Sequence, residues 1–220
     1  MSAHLLPFRE EYSTICDLIL SLEADEDAET DCSCGMGRRT VRCDECIPSQ
    51  MSCPDCFVKA HRNNPLHYAF VWRSSRFHRE SYSSLGGSLH LGHRGNECPA
   101  RLSSRNETSA AKLTIVHTNG IHTVQVYYCQ CADADRHWAQ LLRHRMFPAT
   151  TKVPETAFSF AVLKLCHMFT LCAQSSTYSM AQVLRRITND AYTHQVPVTY
   201  YHVYLVVRRT YKLQYLERLR

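Results

Sequence analysis

Three closely spaced cysteine pairs followed by two histidines give one short stretch of this chain eight potential metal ligands. They are Cys32 and Cys34, Cys43 and Cys46, Cys53 and Cys56, and finally His61 and His67. Two cysteines one or two residues apart can bind the same metal, and two tetrahedral zinc ions need eight ligands. The spacing therefore predicts two zinc sites in preference to buried thiols or disulfides.

The order of the pairs predicts how the ligands divide between the two metals. In a cross-braced arrangement the first and third pairs share one zinc, and the second pair shares the other with the two histidines. This order resembles a B-box or related treble-clef finger, although Cys32 and Cys34 are separated by one residue where two are usual. We expect a double zinc finger over residues 32–73.

A second cysteine cluster follows a predicted hairpin. Strands over residues 113–117 and 121–128 are joined at Asn119-Gly120, which is a strong hairpin signal. The second strand runs directly into Cys129 and Cys131. These two thiols could hold a third zinc only with further ligands from elsewhere in the chain. The alternative is that the hairpin simply ends in a Cys-x-Cys pair that binds no metal.

Two histidines compete for the remaining position of this third site. His93 and Cys98 lie upstream and would complete a set of four ligands with the two thiols. His122 lies within the predicted strand, where alternation places it on the opposite face from Cys129. This alternation favours His93 as the ligand.

The remaining pattern predicts an α+β fold: a small zinc-stabilised finger and a β-hairpin region, followed by a helical region. Residues 8–22 have helical periodicity, and the acidic run 23–31 has the character of a solvated linker. Helices are expected over residues 138–146 and 155–172, then from an N-cap within 175–177 to an end at Thr188-Asn189-Asp190. A last helix is expected from 196 to the last residue, where the chain ends without a stop signal, as a truncated one would. The expected domains are residues 1–31, 32–73, 74–135 and 136–220.

Charge and hydropathy suggest the type of partner and the compartment. Residues 1–31 hold nine acidic residues and one basic residue, whereas residues 32–130 and 131–220 have net charges of +6 and +7. A basic surface favours a polyanion such as DNA.

The longest apolar run, 157–173, contains Lys164 and is short for a membrane helix. We therefore expect a buried helix and no membrane association, and we expect the cysteines to be reduced, inside the cell. The arginines expected to contact phosphates are Arg38, Arg39, Arg42, Arg62, Arg143 and Arg145, with simple solvation as the alternative for each.

Several short blocks, in the same order, resemble the CxC-type cysteine-cluster region associated with KDZ transposases, a transposon family abundant in fungi. The blocks are Ala60-His61-Arg62 with Pro65-Leu66-His67, Leu91-Gly92-His93 through Cys98-Pro99, Thr118-Asn119-Gly120 through Cys129-Gln130-Cys131, Gln140-Leu141-Leu142-Arg143 with Phe147-Pro148-Ala149-Thr150, and Thr156-Ala157-Phe158. The resemblance implies an accessory region in the nucleus. In longer members the catalytic domain, with an acidic metal-binding triad, lies beyond this region.

These observations predict a non-catalytic zinc-binding region that binds DNA or the transposase catalytic domain, with no small-molecule substrate. The carboxylates after Cys32 do not lie on apolar strands that could gather them around catalytic metals. A protein-interaction module is the alternative, since B-box-like fingers commonly have that role. A metal-dependent hydrolase would need a zinc with an open coordination position.

Overall fold

The computed structural model describes residues 6–103, 110–196, 206, 207 and 210. The chain divides into two compact units, one formed by residues 6–61 and 67–80 and the other by residues 62–66 and the described residues from Ser81 onward. Both contain helices and strands, so the expected α+β class is confirmed. In the described part of the chain, no helix is long and apolar enough to cross a membrane.

The first unit contains a three-stranded antiparallel sheet in the order β1–β2–β3. Its elements are α1 (Leu6–Glu10), α2 (Tyr12–Ser21), β1 (Val41–Arg42), α3 (Pro54–Ala60), β2 (Ala69–Arg73) and β3 (Arg76–Glu80). Val41, Phe57 and Val71 are among its few buried apolar side chains. An apolar core this small gives little stability, so a unit of this size needs further cross-links such as metals.

The second unit is organised around a five-stranded mixed sheet in the order β4–β6–β5–β8–β7. Its elements are β4 (Leu89–Leu91), α4 (Pro99–Ser103), β5 (Ala111–His117), β6 (Gly120–Tyr128), α5 (His137–Arg143), β7 (Met146–Pro148), β8 (Thr156–Ser159), α6 (Phe160–Ala173) and α7 (Thr177–Thr188). The predicted hairpin is present as β5 and β6, which pair from His117 and Gly120 outward. Gly120 has a φ of 136°, a conformation that favours glycine.

Apolar side chains form a separate cluster on each face of this sheet. On one face, Val116 and Phe158 pack with α6 and α7, and on the other, Leu113 and Ile115 pack with Leu141. Strand alternation explains the division, because neighbouring residues of β5 point to opposite faces. The sheet therefore has a packed layer on both sides.

The helix predicted over residues 155–172 is wrong in its first turn. Thr156–Ser159 is the strand β8, which pairs in parallel with β5, and the helix begins only at Phe160. The Ser159 hydroxyl accepts a hydrogen bond from the Val162 amide at 3.2 Å and caps the helix. Only one side of α6 is buried, and Cys172, expected in the core, is exposed.

Two other expected helices also differ from the structure. The one predicted over residues 138–146 ends at Arg143, because Met146–Pro148 forms β7 and pairs with β8. The N-terminal helix is divided into α1 and α2, and α2 has no buried residue. The third predicted helix is confirmed as α7, which Ser176 caps. The helix predicted from residue 196 lies mostly outside the described residues.

Candidate metal centres

The first cluster contains four thiols, those of Cys32, Cys34, Cys53 and Cys56. Cys53 precedes α3 and Cys56 lies in its first turn, so the start of this helix holds the second pair in place. The sulfurs of Cys34 and Cys53 are 3.6 Å apart, and the Cys53 amide donates to the Cys32 sulfur at 3.4 Å. All four sulfurs lie within 4.8 Å of one another.

The second cluster contains two thiols and two imidazoles, those of Cys43, Cys46, His61 and His67. Cys46 Sγ lies 3.4 Å from His61 Nε2 and 3.5 Å from His67 Nδ1. His61 Nδ1 lies 3.0 Å from the Phe57 carbonyl oxygen. Because a carbonyl can only accept, Nδ1 carries the hydrogen, and the Nε2 lone pair faces the cluster. Burial lowers the pKa of His61, which favours the neutral imidazole that binds metals.

The third cluster lies in the second unit, at the end of the hairpin. His93 Nε2 is 3.3 Å from Cys129 Sγ and 3.4 Å from Cys131 Sγ. Cys98 Sγ lies 3.9 Å and 3.8 Å from the same two sulfurs. Gly92, with a φ of 137°, lets the chain pass close to Cys129, since a β-carbon at this position would lie 2.9 Å from the Cys129 Cβ.

The two competing histidines lie in different surroundings. His93 lies among the thiols, whereas His122 is buried within the sheet, with its Nε2 2.8 Å from Asn119 Oδ1. The strand alternation that separates His122 from Cys129 accounts for this difference. His93 is therefore the histidine placed to complete the third cluster.

The separations in all three clusters fit a tetrahedral metal. Two sulfurs bound about 2.3 Å from a tetrahedral ion lie about 3.8 Å apart, and a sulfur and a nitrogen lie about 3.5 Å apart. The separations given above are 3.6–3.9 Å between sulfurs and 3.3–3.5 Å between sulfur and nitrogen. A disulfide would require about 2.05 Å, and all twelve cysteines are free. Each group could hold a metal ion.

A comparison with protein-family models identifies the second unit. The model described as a CxC2-like cysteine cluster associated with KDZ transposases matches residues 82–192, which is half of the chain. The chain belongs to this family. No curated protein and no solved structure matches it. The CxC2 match includes the third cluster and begins after the first two.

A buried glutamine that has no signature in the sequence supports the backbone of Cys129 in the third cluster. The Gln140 side chain accepts from the Cys129 amide at 2.8 Å, and donates to the carbonyls of Cys129 and Asp135 at 3.1 and 2.7 Å. Its position on a helix beside two leucines gave no signal, because its partners lie in the loop before the helix and just after the end of β6. Gln140 fixes the backbone of one ligand from α5.

Replacing Gln140 with leucine is expected to weaken metal binding at the third cluster by about 10–100-fold, because the Cys129 backbone loses its support. Competition with a chromophoric chelator measures this affinity. Gln125→Leu is the matched control, because Gln125 is exposed on the neighbouring strand. Equal affinities of the two variants would show that Gln140 has no positioning role.

Each cluster includes one thiol with a raised pKa. Burial raises the pKa of Cys43 to about 12. Hydrogen bonds with Cys34 and Cys53 raise that of Cys56 to about 12, and those with Cys129 and Cys98 raise that of Cys131 to about 11. Thiols this close to one another cannot all be ionised without a cation between them.

Metal affinity is therefore expected to rise with pH. At neutral pH these three thiols are protonated, and a metal must displace their protons to bind. For each proton that the metal displaces, the apparent metal affinity rises about tenfold for every unit of pH. Chelator competition between about pH 6.5 and 8 tests this expectation, and a constant affinity over that range would contradict it.

Most arginines expected to bind DNA have partners within the protein. Arg39 forms an ion pair with Asp27 at 3.1 Å, and Arg42 donates to the Leu22 carbonyl at 2.7 Å. Asp27 of the acidic run 23–31 thus has a basic partner, although most residues of this run are exposed, as in a solvated linker. In the second unit, Arg62 binds the Gly95 carbonyl and Asn96, and Arg143 pairs with Asp135. Arg38 and Arg145 are exposed.

Proposed function

We propose that the chain is a zinc-binding, non-catalytic accessory region of a KDZ-type transposase that binds DNA. Membership of the CxC2 family is the observation that carries this proposal. Each cluster offers four protein ligands of types that zinc prefers, a coordination typical of structural zinc sites. A DNA-binding accessory region would act in the nucleus.

We also propose that the first unit is a cross-braced, B-box-like finger. The interleaved ligand groups support this proposal, since the first and third cysteine pairs lie together and the second pair lies with the histidines. One metal bound in this way would link the start of α3 to Cys32 and Cys34. The other would link the end of α3 to Cys43 and Cys46. They would supply the cross-links that the small apolar core of the unit needs.

Charge supports DNA as the partner. Residues 32–220 have a net charge of +13, so the acidic residues of the N-terminal segment account for the low overall value of +5. Arg38 and Arg145 extend into solvent, where they can contact phosphates. Arg39, Arg42 and Arg143 would have to exchange an internal partner for a phosphate.

Binding of a fluorescent DNA duplex is expected to weaken steeply with salt, with a slope of log K against log salt of about −0.9 per phosphate contacted. Replacing both Arg38 and Arg145 with glutamine should reduce the slope by about 2. Arg186→Gln is the control, because Arg186 already pairs with Asp190. Affinity that does not change with salt would contradict the proposal.

A protein-interaction module is the second candidate, and the N-terminal helices favour it. Leu18, Ile19 and Leu20 of α2 are each more than half exposed, beside an acidic segment. An apolar helix flanked by carboxylates suits a basic protein groove. If the chain has no measurable affinity for DNA at low salt but binds the transposase catalytic domain, this second function is correct.

A further inference from the structure

One face of the three-stranded sheet carries aromatic rings between two arginines. Side chains alternate along a strand, so Phe70 and Trp72 of β2 share this face with Phe77 and Arg79 of β3 and with Arg42 of β1. The three rings are half-buried, and Arg79 is exposed. Apolar ring surface and guanidinium groups therefore occur together on one face of the first unit.

These residues form two rows across the sheet. Arg42, Phe70 and Arg79 are direct cross-strand neighbours. In the next row, the rings of Trp72 and Phe77 meet edge to face with centroids 4.9 Å apart. The Arg42 guanidinium lies 3.8 Å from the centroid of Phe77. Arg42 therefore reaches across β2 and covers one side of the Phe77 ring, whereas Phe70 and Trp72 remain as half-buried ring surface on this face.

The two cations are held in place by the protein. The Arg79 guanidinium lies 3.4 Å from the centroid of the Tyr68 ring. Arg42 is oriented by Asp44 at 2.9 Å and by the Leu22 carbonyl. A guanidinium stacked on a ring keeps its N–H groups in its own plane, where they can donate to a phosphate. Exposed Arg79 is the better placed of the two to bind an incoming anion.

The other face of the same hairpin differs in chemistry. Arg73 forms an ion pair with Glu80 at 3.0 Å, and Arg76 donates to His78 at 3.2 Å. Arg76 and Arg79 therefore lie on opposite faces of one strand, and both are exposed. They form a matched pair for mutagenesis, because each substitution removes one positive charge from β3.

We propose that the aromatic face binds single-stranded nucleic acid, with bases stacked on Phe70 and Trp72 and a phosphate bound by Arg79. Unpaired bases expose their ring faces and stack on aromatic side chains beside a basic surface. In a duplex those ring faces are covered by neighbouring bases. This inference rests on the proposed binding of DNA, and it specifies the surface and the strand form.

Trp72 can report binding at this face. The chain has two tryptophans, so Trp138→Phe leaves Trp72 as the single indole. Titration of this variant, in the full chain loaded with zinc, with a 12-nucleotide oligo(dT) is expected to quench Trp72 emission to saturation. A matching oligo(U) shows whether the sugar matters, and a duplex of the same length should leave the emission unchanged.

The affinity of labelled oligo(dT), measured by fluorescence anisotropy, should depend on one arginine of the matched pair. Arg79→Gln should weaken binding about three- to tenfold, because a phosphate contact and a stacked cation are lost. Arg76→Gln should weaken it less than about twofold, since it removes only a distant charge. The zinc content of each variant checks that the fold is retained.

Three results distinguish this inference from the proposed function. Saturable quenching of Trp72, with a larger loss for Arg79→Gln than for Arg76→Gln, supports the aromatic face. Duplex binding without quenching by oligo(dT), and with equal losses in the two variants, overturns this inference and leaves the proposed DNA binding intact. No binding of duplex or single strand overturns both.

Discussion

Removal of zinc by a chelator is expected to unfold the first unit and to leave the core of the second unit folded. A structural zinc contributes about 10–16 kcal/mol to folding, as much as the whole net stability of a typical domain, which is about 5–15 kcal/mol. Two of the three candidate centres lie in the first unit, whose apolar core is small. The second unit has one centre and a sheet packed on both faces.

The two tryptophans make this result measurable unit by unit. Trp72 lies in the first unit and Trp138 in α5 of the second, so Trp138→Phe and Trp72→Phe variants each report on one unit. Chelation should shift Trp72 emission to the wavelength of the unfolded chain, and should shift Trp138 emission much less. Unchanged Trp72 emission after complete metal removal would show that the first unit does not depend on metal.

Replacing His93 with alanine is expected to remove a metal ion, whereas replacing His122 with alanine is expected to lower stability without changing the metal content. His93→Ala should lower the zinc content by one ion, because three thiols remain without a fourth ligand. His122→Ala should leave the zinc content unchanged and destabilise the second unit by about 2–5 kcal/mol, because it creates a cavity in the core. It also removes the contact with Asn119.

Elemental analysis and thermal unfolding measured on the same preparations test both statements. His93 is exposed, so its removal creates no core cavity and should change the unfolding temperature only through the lost metal. Loss of a zinc ion from His122→Ala, with the full content kept by His93→Ala, would reverse the assignment of the fourth ligand.

Local spacing made the ligand groups predictable from the sequence. Cys-x-Cys and Cys-x-x-Cys pairs place two sulfurs together whatever the rest of the fold does, and the order of the pairs gave their grouping. The hairpin was predictable for the same reason, since Asn119-Gly120 acts over two residues. Strand alternation then separated His122 from Cys129 before any tertiary structure was known.

Contacts between distant residues account for what the sequence did not predict. Thr156–Ser159 is too short to be told from a helical turn by periodicity, and its parallel pairing with β5 decides its structure. Gln140 and Cys129 meet only once the helix packs on the sheet. The ion pair of Asp27 with Arg39 likewise depends on how the chain folds back, which charge counting cannot reveal.

Zinc stoichiometry combined with X-ray absorption at the zinc edge tests the central claim most directly. The three groups provide nine sulfur and three nitrogen ligands, so we expect three zinc ions per chain with an average of three sulfurs at about 2.3 Å and one nitrogen at about 2.0–2.1 Å. Fewer than three ions, or an average first shell that contains water or carboxylate oxygen, would contradict three closed structural centres.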